Sequence, residues 1–217
     1  MRGHRSFAAP DAARMSEIAP SRRRAETGAG LRRAILDHAR RLLVADGYDR
    51  LSMRRIAAAA GCSATSIYLH FASKDALTHA LIDEGMERLH AALTAAVVPD
   101  PVAALGALSR AYVRFGLDNP EVYPILFQLH PERMARYPAE QYRRARRNIE
   151  VFAEALAAGA AAGRLRAEPS ADVAASAFWT ALHGLVSLSL ADRIDRRLAG
   201  PAFVEAAVRQ AIAGVTV

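Results

Sequence analysis

The chain carries one cysteine, one lysine and one tryptophan in 217 residues, and aromatics amount to 6% of it. A single thiol, Cys62, closes no intrachain disulfide, and no Cys/His cluster has the spacing of a zinc site, so a reducing cytoplasm suits the composition and no metal is expected. A Gly-rich phosphate loop, a nucleophile elbow, a His pair at metal spacing and a Ser/His/Asp set are all missing, which argues against an enzyme and against a bound cofactor. β-branched runs are missing too, which excludes a sheet protein. The first thirty residues hold no apolar run long enough for a signal peptide, so no secretion signal is expected. Residues 173–191 lack Asp, Glu, Lys and Arg and approach spanning length. Five interior polar residues (Ser176, Thr180, His183, Ser187, Ser189) favour a helix buried in a soluble protein or an oligomer interface over one in lipid, and no membrane partner is expected.

What is present is a 52% hydrophobic content, enough for a substantial core, and an excess of basic over acidic residues, 29 against 22, giving +7. That balance suits an anionic partner. Residues 1–30 mix Arg, Ala, Pro, Ser and Gly without period and read as a mostly disordered basic arm, either trailing along phosphates or merely solvated. From Leu31 onward Ala, Leu and Arg dominate, with Pro and Gly at segment ends. The spacing predicts an all-α protein with helices over 31–46, 52–59, 63–70, 73–96, 101–118, 120–129, 138–162, 169–193 and 201–213.

The stretch 61–77, GCSATSIYLHFASKDAL, breaks a helix, restarts it for barely two turns and restarts it again. Ser52 is placed to cap the second helix, Gly61 to make a tight turn, and Ser63 to cap the third. A short helix, a Gly-bearing turn and a second short helix make a helix-turn-helix. In the third helix Ile67 and Phe71, four apart, face inward, while Thr65, Ser66, Leu69 and His70 project from the other side. Ser and Thr hydroxyls can bond base edges, and Leu69 or the Thr65 methyl can touch a thymine methyl. Tyr68 and His70 can reach phosphates. Ser73 is placed to cap the fourth helix, with Lys74 in its first turn. A cation there is mildly disfavoured by the helix dipole and gains from a phosphate partner.

Residues 52–77, preceded by the helix 31–46 and by Gly47-Tyr48, closely resemble the DNA-binding domain of TetR/AcrR-type transcriptional regulators. Ser52, Ile56-Ala57, Ala60-Gly61, Ser63, Tyr68, His70-Phe71, Lys74 and Leu77 carry the resemblance. It implies an all-α homodimer with a small DNA-reading domain and a larger C-terminal domain that binds a small-molecule effector and dimerises, most often a repressor released from a palindromic operator in double-stranded DNA. A nonspecific DNA-binding protein is the alternative. The resemblance implies DNA contacts at Ser52, Ser66, Tyr68, His70 and Lys74. Ala64 and Thr65 are added with departures: the family often has a basic or polar residue at the first and Gly at the second.

The segment FWTALHGLVSL (178–188), with Trp179 and His183-Gly184, resembles a TetR subgroup marked by a Trp and a following His-Gly. Phe115, Tyr123, Phe127, Phe152, Trp179 and His183, with Tyr112 and Phe178 beside them, are candidates to line the effector cavity, core packing being the plainer reading of each. The Arg-rich run at 143–150, with Arg133 and Arg136 upstream, is either a solvated face or an attraction for an acidic effector. The last two helices are apolar beyond one face, as expected of a four-helix dimer seam. The expected division is an arm over 1–30, a DNA-binding domain over 31–77 and an effector-binding and dimerisation domain over 78–217.

Overall fold

A computed structural model describes the backbone of residues 19–129 and 134–217, with side chains from residue 28. Among the described residues the regular elements are helices, joined by one isolated antiparallel bridge between Leu165 and Thr216. The chain divides into two compact units, residues 1–74 and 75–217, the division falling at the first residue of the fourth helix.

The first unit holds α1 (Ala19–Arg50), α2 (Met53–Ala59) and α3 (Ala64–His70). The disordered arm expected over 1–30 lies outside the described residues as far as residue 18. From Ala19 the chain is helical, so α1 starts well before Leu31. Pro20 is tolerated in a first turn, and the Arg, Ala and Glu that follow are good helix formers; Gly28 and Gly30 gave the stretch its irregular look. Gly47 interrupts α1 with φ 76, as its sequence position suggested.

Ser52 caps α2 by accepting from the Arg55 amide at 3.3 Å. At its other end the Cys62 amide bonds the Ala57 carbonyl (2.9 Å) and the Gly61 amide bonds that of Ala58 (3.2 Å). This is a Schellman closure, which Gly61 permits with φ 68. Ser63 then caps α3 by accepting from the Ser66 amide at 3.0 Å. Ile35, Ala39 and Leu43 of α1 join Ile56, Ala57, Ile67 and Phe71 in the buried core, with the Arg32 guanidinium 5.0 Å from the Phe71 ring centre.

The second unit comprises α4 (Lys74–Thr94, from Asp75 on), α5 (Pro101–Asp118), α6 (Tyr123–Phe127), α7 (Ala139–Ala161), α8 (Ala171–Leu190) and α9 (Pro201–Ala213). α5, α7 and α8 pack against one another, and α9 lies on α5 and α8. Asp100 and Ser170 cap α5 and α8 through the amides of Ala103 and Val173. At Gly85 a β-carbon would meet Leu126 Cδ2 at 2.6 Å, so this glycine lets α6 lie close on α4. α6 is shorter than the expected 120–129, since residues 119–122 form a turn. α8 is the one helix among the described residues long and apolar enough to cross a membrane. Its Ala174, Ala175, Phe178, Leu182, Leu185 and Val186 are instead buried within the unit.

Candidate nucleic-acid interface and effector cavity

α3 is anchored by Ile67, wholly buried, and by Phe71 just beyond its end. Its other side faces solvent: Leu69 is 82% exposed and Tyr68 55%, with Ala64 and Thr65 exposed and Ser66 and His70 half-buried. Leaving a leucine and a tyrosine side by side in water gives up several kcal/mol of possible burial, about 1.5–3 kcal/mol for each large side chain. Nothing in the fold of this unit requires it. The Ser66 hydroxyl lies 2.8 Å from that of Ser63, so part of its hydrogen-bonding capacity is used in holding the cap.

Ser52, half-buried, opens α2. Lys74 follows α3 by four residues; its ammonium donates to the Tyr48 carbonyl at 3.1 Å and sits 3.9 Å from the Tyr48 ring centre. That contact fixes the chain between α3 and α4 against the end of α1 and leaves the lysine placed rather than trailing. Arg54, which sequence reasoning passed over, is exposed in the first turn of α2. The adjacent Arg55 is tied to Asp46 (2.5 Å) and to the Arg50 carbonyl (2.9 Å). The Arg-Arg pair was visible in the sequence; which arginine the fold would occupy was not.

In the second unit, Tyr112 and five of the six cavity candidates form one cluster. The Tyr112 and Tyr123 hydroxyls are 2.7 Å apart, and that of Tyr123 is 2.7 Å from His183 Nδ1. His183 Nε2 reaches the Ser187 hydroxyl at 3.3 Å, and the rings of Trp179 and Tyr123 stack on the imidazole at 5.0 and 5.5 Å. Phe127 packs edge-on to His183 and against Trp179, and Phe152 packs on Tyr112. Burial raises both tyrosines, Tyr123 to about 12, and lowers His183, so all three are neutral near pH 7. Phe115 is buried in α5 outside this set of ring contacts.

Beside the cluster lies a cavity of about 1120 Å³. Of the six cavity candidates, Phe127 and Trp179 stand on its wall; Phe115, Tyr123, Phe152 and His183 lie off it. The rest of the wall comes from α4 (Ile82, Met86, Leu89), from residues 134–139 and from α7, including Asn148. Sequence reasoning missed these, because only the tertiary fold brings α4 and α7 to the same space. Residues 134–141 are held to α4 by four bonds: the Ala135 amide to Asp75 (3.1 Å), His79 to the Ala135 carbonyl (3.0 Å), and Tyr137 and Gln141 to Asp83 (2.5 and 2.7 Å).

A short helix, capped at its start, set off by a glycine turn and turned outward by an apolar anchor, makes the first unit a helix-turn-helix of the kind found in DNA-binding regulators. Residues 35–81 match the family described as bacterial regulatory proteins of the tetR family, and residues 105–214 match the tetracyclin repressor-like C-terminal domain. The chain belongs to the tetR family. The second description singles out no Trp/His-Gly subgroup. The HTH-type transcriptional repressor Rv1474c of Mycobacterium tuberculosis (strain ATCC 25618 / H37Rv) is 48% identical over 63 residues, 29% of this chain and 34% of that protein, so the match spans about a third of the relative. A protein of unknown function from Rhodococcus sp. RHA1 superposes with TM-score 0.72 at 27% identity, over 86% of this chain and 96% of that one. A regulatory protein of the tetR family from Rhodococcus RHA1 gives 0.69 at 26%, over 85% and 96%.

Proposed function

We propose that this protein is a homodimeric cytoplasmic repressor that holds a palindromic operator through α3 and releases it when a small molecule fills the cavity of the second unit. The observation that carries the reading is the solvent-facing side of α3, where Thr65, Tyr68 and Leu69 stand exposed opposite a fully buried Ile67. Thr65, Ser66 and Leu69 read base edges. Ser52, Tyr68, His70 and Lys74 bind phosphates and set the register, with Arg54 beside them, while Ala64 gives close approach without a bond of its own.

The dimer uses α8 and α9. Only 33% of the most apolar stretch of α8 is buried, Val173 and Leu188 are each 51% exposed, and α9 buries Val208 alone. Two such helices from each subunit supply a four-helix seam. Two recognition helices then meet successive major grooves about 34–36 Å apart. A ligand that favours another separation of the two heads needs about 2.7 kcal/mol of coupling to weaken the complex a hundredfold.

The test is selection of bound fragments from the source genome by the purified protein. A palindrome recovered beside a small set of genes supports the reading. Fragments with no common sequence point instead to a nonspecific DNA-binding protein.

A further inference from the structure

The cavity of the second unit is apolar over most of its wall, with Ile82, Met86, Leu89, Leu126, Phe127 and Trp179 among its lining residues. Its polar groups are few and one-sided. Arg136 and Arg146 stand on the wall, and no Asp or Glu does among the described residues. On α7, Arg143 pairs with Glu140 at 2.5 Å and Arg147 with Glu87 at 2.6 Å. Arg136 and Arg146 form no ion pair among the described residues, and the four bonds that tie residues 134–141 to α4 fix the chain on either side of Arg136. Two guanidinium groups with no ion pair among the described residues, set over an apolar chamber, are complementary to an anionic head on an apolar body.

A second, independent feature refines the class. Asn148 is 6% exposed and lines the same cavity. Its Nδ2 donates to the Met86 carbonyl at 3.3 Å, which fixes the amide orientation, because a carbonyl accepts only from the nitrogen. Oδ1 is then left buried with no partner among the described residues. A buried acceptor without a donor keeps the full penalty of its lost hydration, and a ligand that brings a donor recovers it. A carboxylate has none to bring, so the donor belongs elsewhere on the ligand.

We infer that the effector is an amphipathic carboxylate whose apolar body carries a hydroxyl or N–H group, the carboxylate meeting Arg136 and Arg146 and the donor meeting Asn148 Oδ1. The inference rests on the second unit being the effector-binding half of a regulator. Trp179, the single tryptophan of the chain, stands on the cavity wall and reports occupancy by its fluorescence.

The experiment titrates the full-length protein with decanoate and 2-naphthaleneacetate, each beside its methyl ester, and with 3- and 10-hydroxydecanoate. The acids are expected to change Trp179 emission and to bind about tenfold or more tightly than the esters. R136Q/R146Q, at two exposed positions, is expected to reduce acid binding to the level of the ester. At least one hydroxy acid is expected to bind several-fold more tightly than decanoate, an advantage that Asn148→Ala removes. Esters that bind as well as acids, an arginine double variant with unchanged affinity for the acids, hydroxy acids without advantage, or a series that leaves the emission unmoved would each overturn the inference; should Asn148→Ala fail to fold, the arginine and ester comparisons still decide it. Adding the same compounds to an operator complex separates the two levels. Binding with this selectivity but without release upholds the ligand class and removes the regulatory role, whereas release equally by acid and ester retains the role and overturns the class.

Discussion

The Tyr123 hydroxyl lies 2.7 Å from His183 Nδ1, and the two rings stack with centroids 5.5 Å apart and planes 24° from parallel. One short bond thus ties α6 to α8, and it continues through Tyr112 to α5 on one side and through Ser187 on the other. A neutral imidazole that accepts at Nδ1 and donates from Nε2 gives each group in this chain a partner. Buried polar groups so arranged fix one packing of the three helices, and the cost of breaking the chain is the desolvation of whatever is left unpaired.

Tyr123→Phe removes the central hydroxyl while keeping the ring. Among the described residues His183 Nδ1 then has the Tyr112 hydroxyl, 3.5 Å away, as a replacement partner. The variant is expected to lose about 1–3 kcal/mol of stability in urea denaturation followed by circular dichroism. An unchanged midpoint would mean that water or the Tyr112 hydroxyl replaces the bond at no cost.

His183 gives a pH dependence of definite sign. Burial holds the folded imidazole below its ordinary value of 6.5, so as pH falls through that value the unfolded chain takes up a proton that the folded ring resists. The unfolded state then binds more protons, and stability declines from about pH 6.5 downward until the folded ring is protonated as well. Melting temperatures between pH 7.5 and 5 are expected to fall more steeply for the wild type than for His183→Gln. Parallel curves for the two proteins would show that the ring contributes nothing to the acid side.

At Gly116 α5 meets α8 too closely for a side chain: an added β-carbon would overlap Val186 Cγ1 and stand 3.1 Å from the Tyr123 ring. Gly116→Ala is expected to cost about 1–3 kcal/mol through overpacking, despite the better helix propensity of alanine. Differential scanning calorimetry checks it, and a raised melting temperature would contradict the closeness of that packing.

Much of the first unit was legible because its signals are local. The Ser52 and Ser63 caps, the Gly61 turn and the inward pair Ile67 and Phe71 are each settled within a few residues, and the chain adopts all of them. The start of α1 was not legible, since Gly28 and Gly30 broke a helical composition that the fold tolerates. The position of Lys74 depends on Tyr48, 26 residues earlier, which no spacing rule reaches. In the second unit the aromatics were visible as residue types, but the chamber beside them is walled by α4, α7 and residues 134–139. Asn148, inside the Arg-rich run at 143–150, carried no signal of its own in the sequence, since only the tertiary fold buries its carbonyl oxygen.

Phosphate and base contacts separate by their response to sequence and to salt. Tyr68→Phe and Lys74→Ala are expected to weaken binding to all duplexes alike, and Lys74→Ala to flatten the dependence of log K on log salt by about 0.9. Fluorescence anisotropy over a salt series measures both. Unchanged affinity in both variants would remove these residues from the interface. Thr65→Ala is expected instead to alter the ranking of operator variants by about 1 kcal/mol or more at one base position, and an equal loss on every variant would count against base reading.

The most direct measurement is the affinity of the purified protein for its genome-selected operator against a shuffled duplex of the same length and composition, at one physiological salt concentration. If the exposed side of α3 reads sequence, the operator binds about a thousandfold or more tightly, and Thr65→Ala combined with Leu69→Ala removes most of that ratio. Equal affinity for the two duplexes, or a ratio untouched by the double variant, would contradict it.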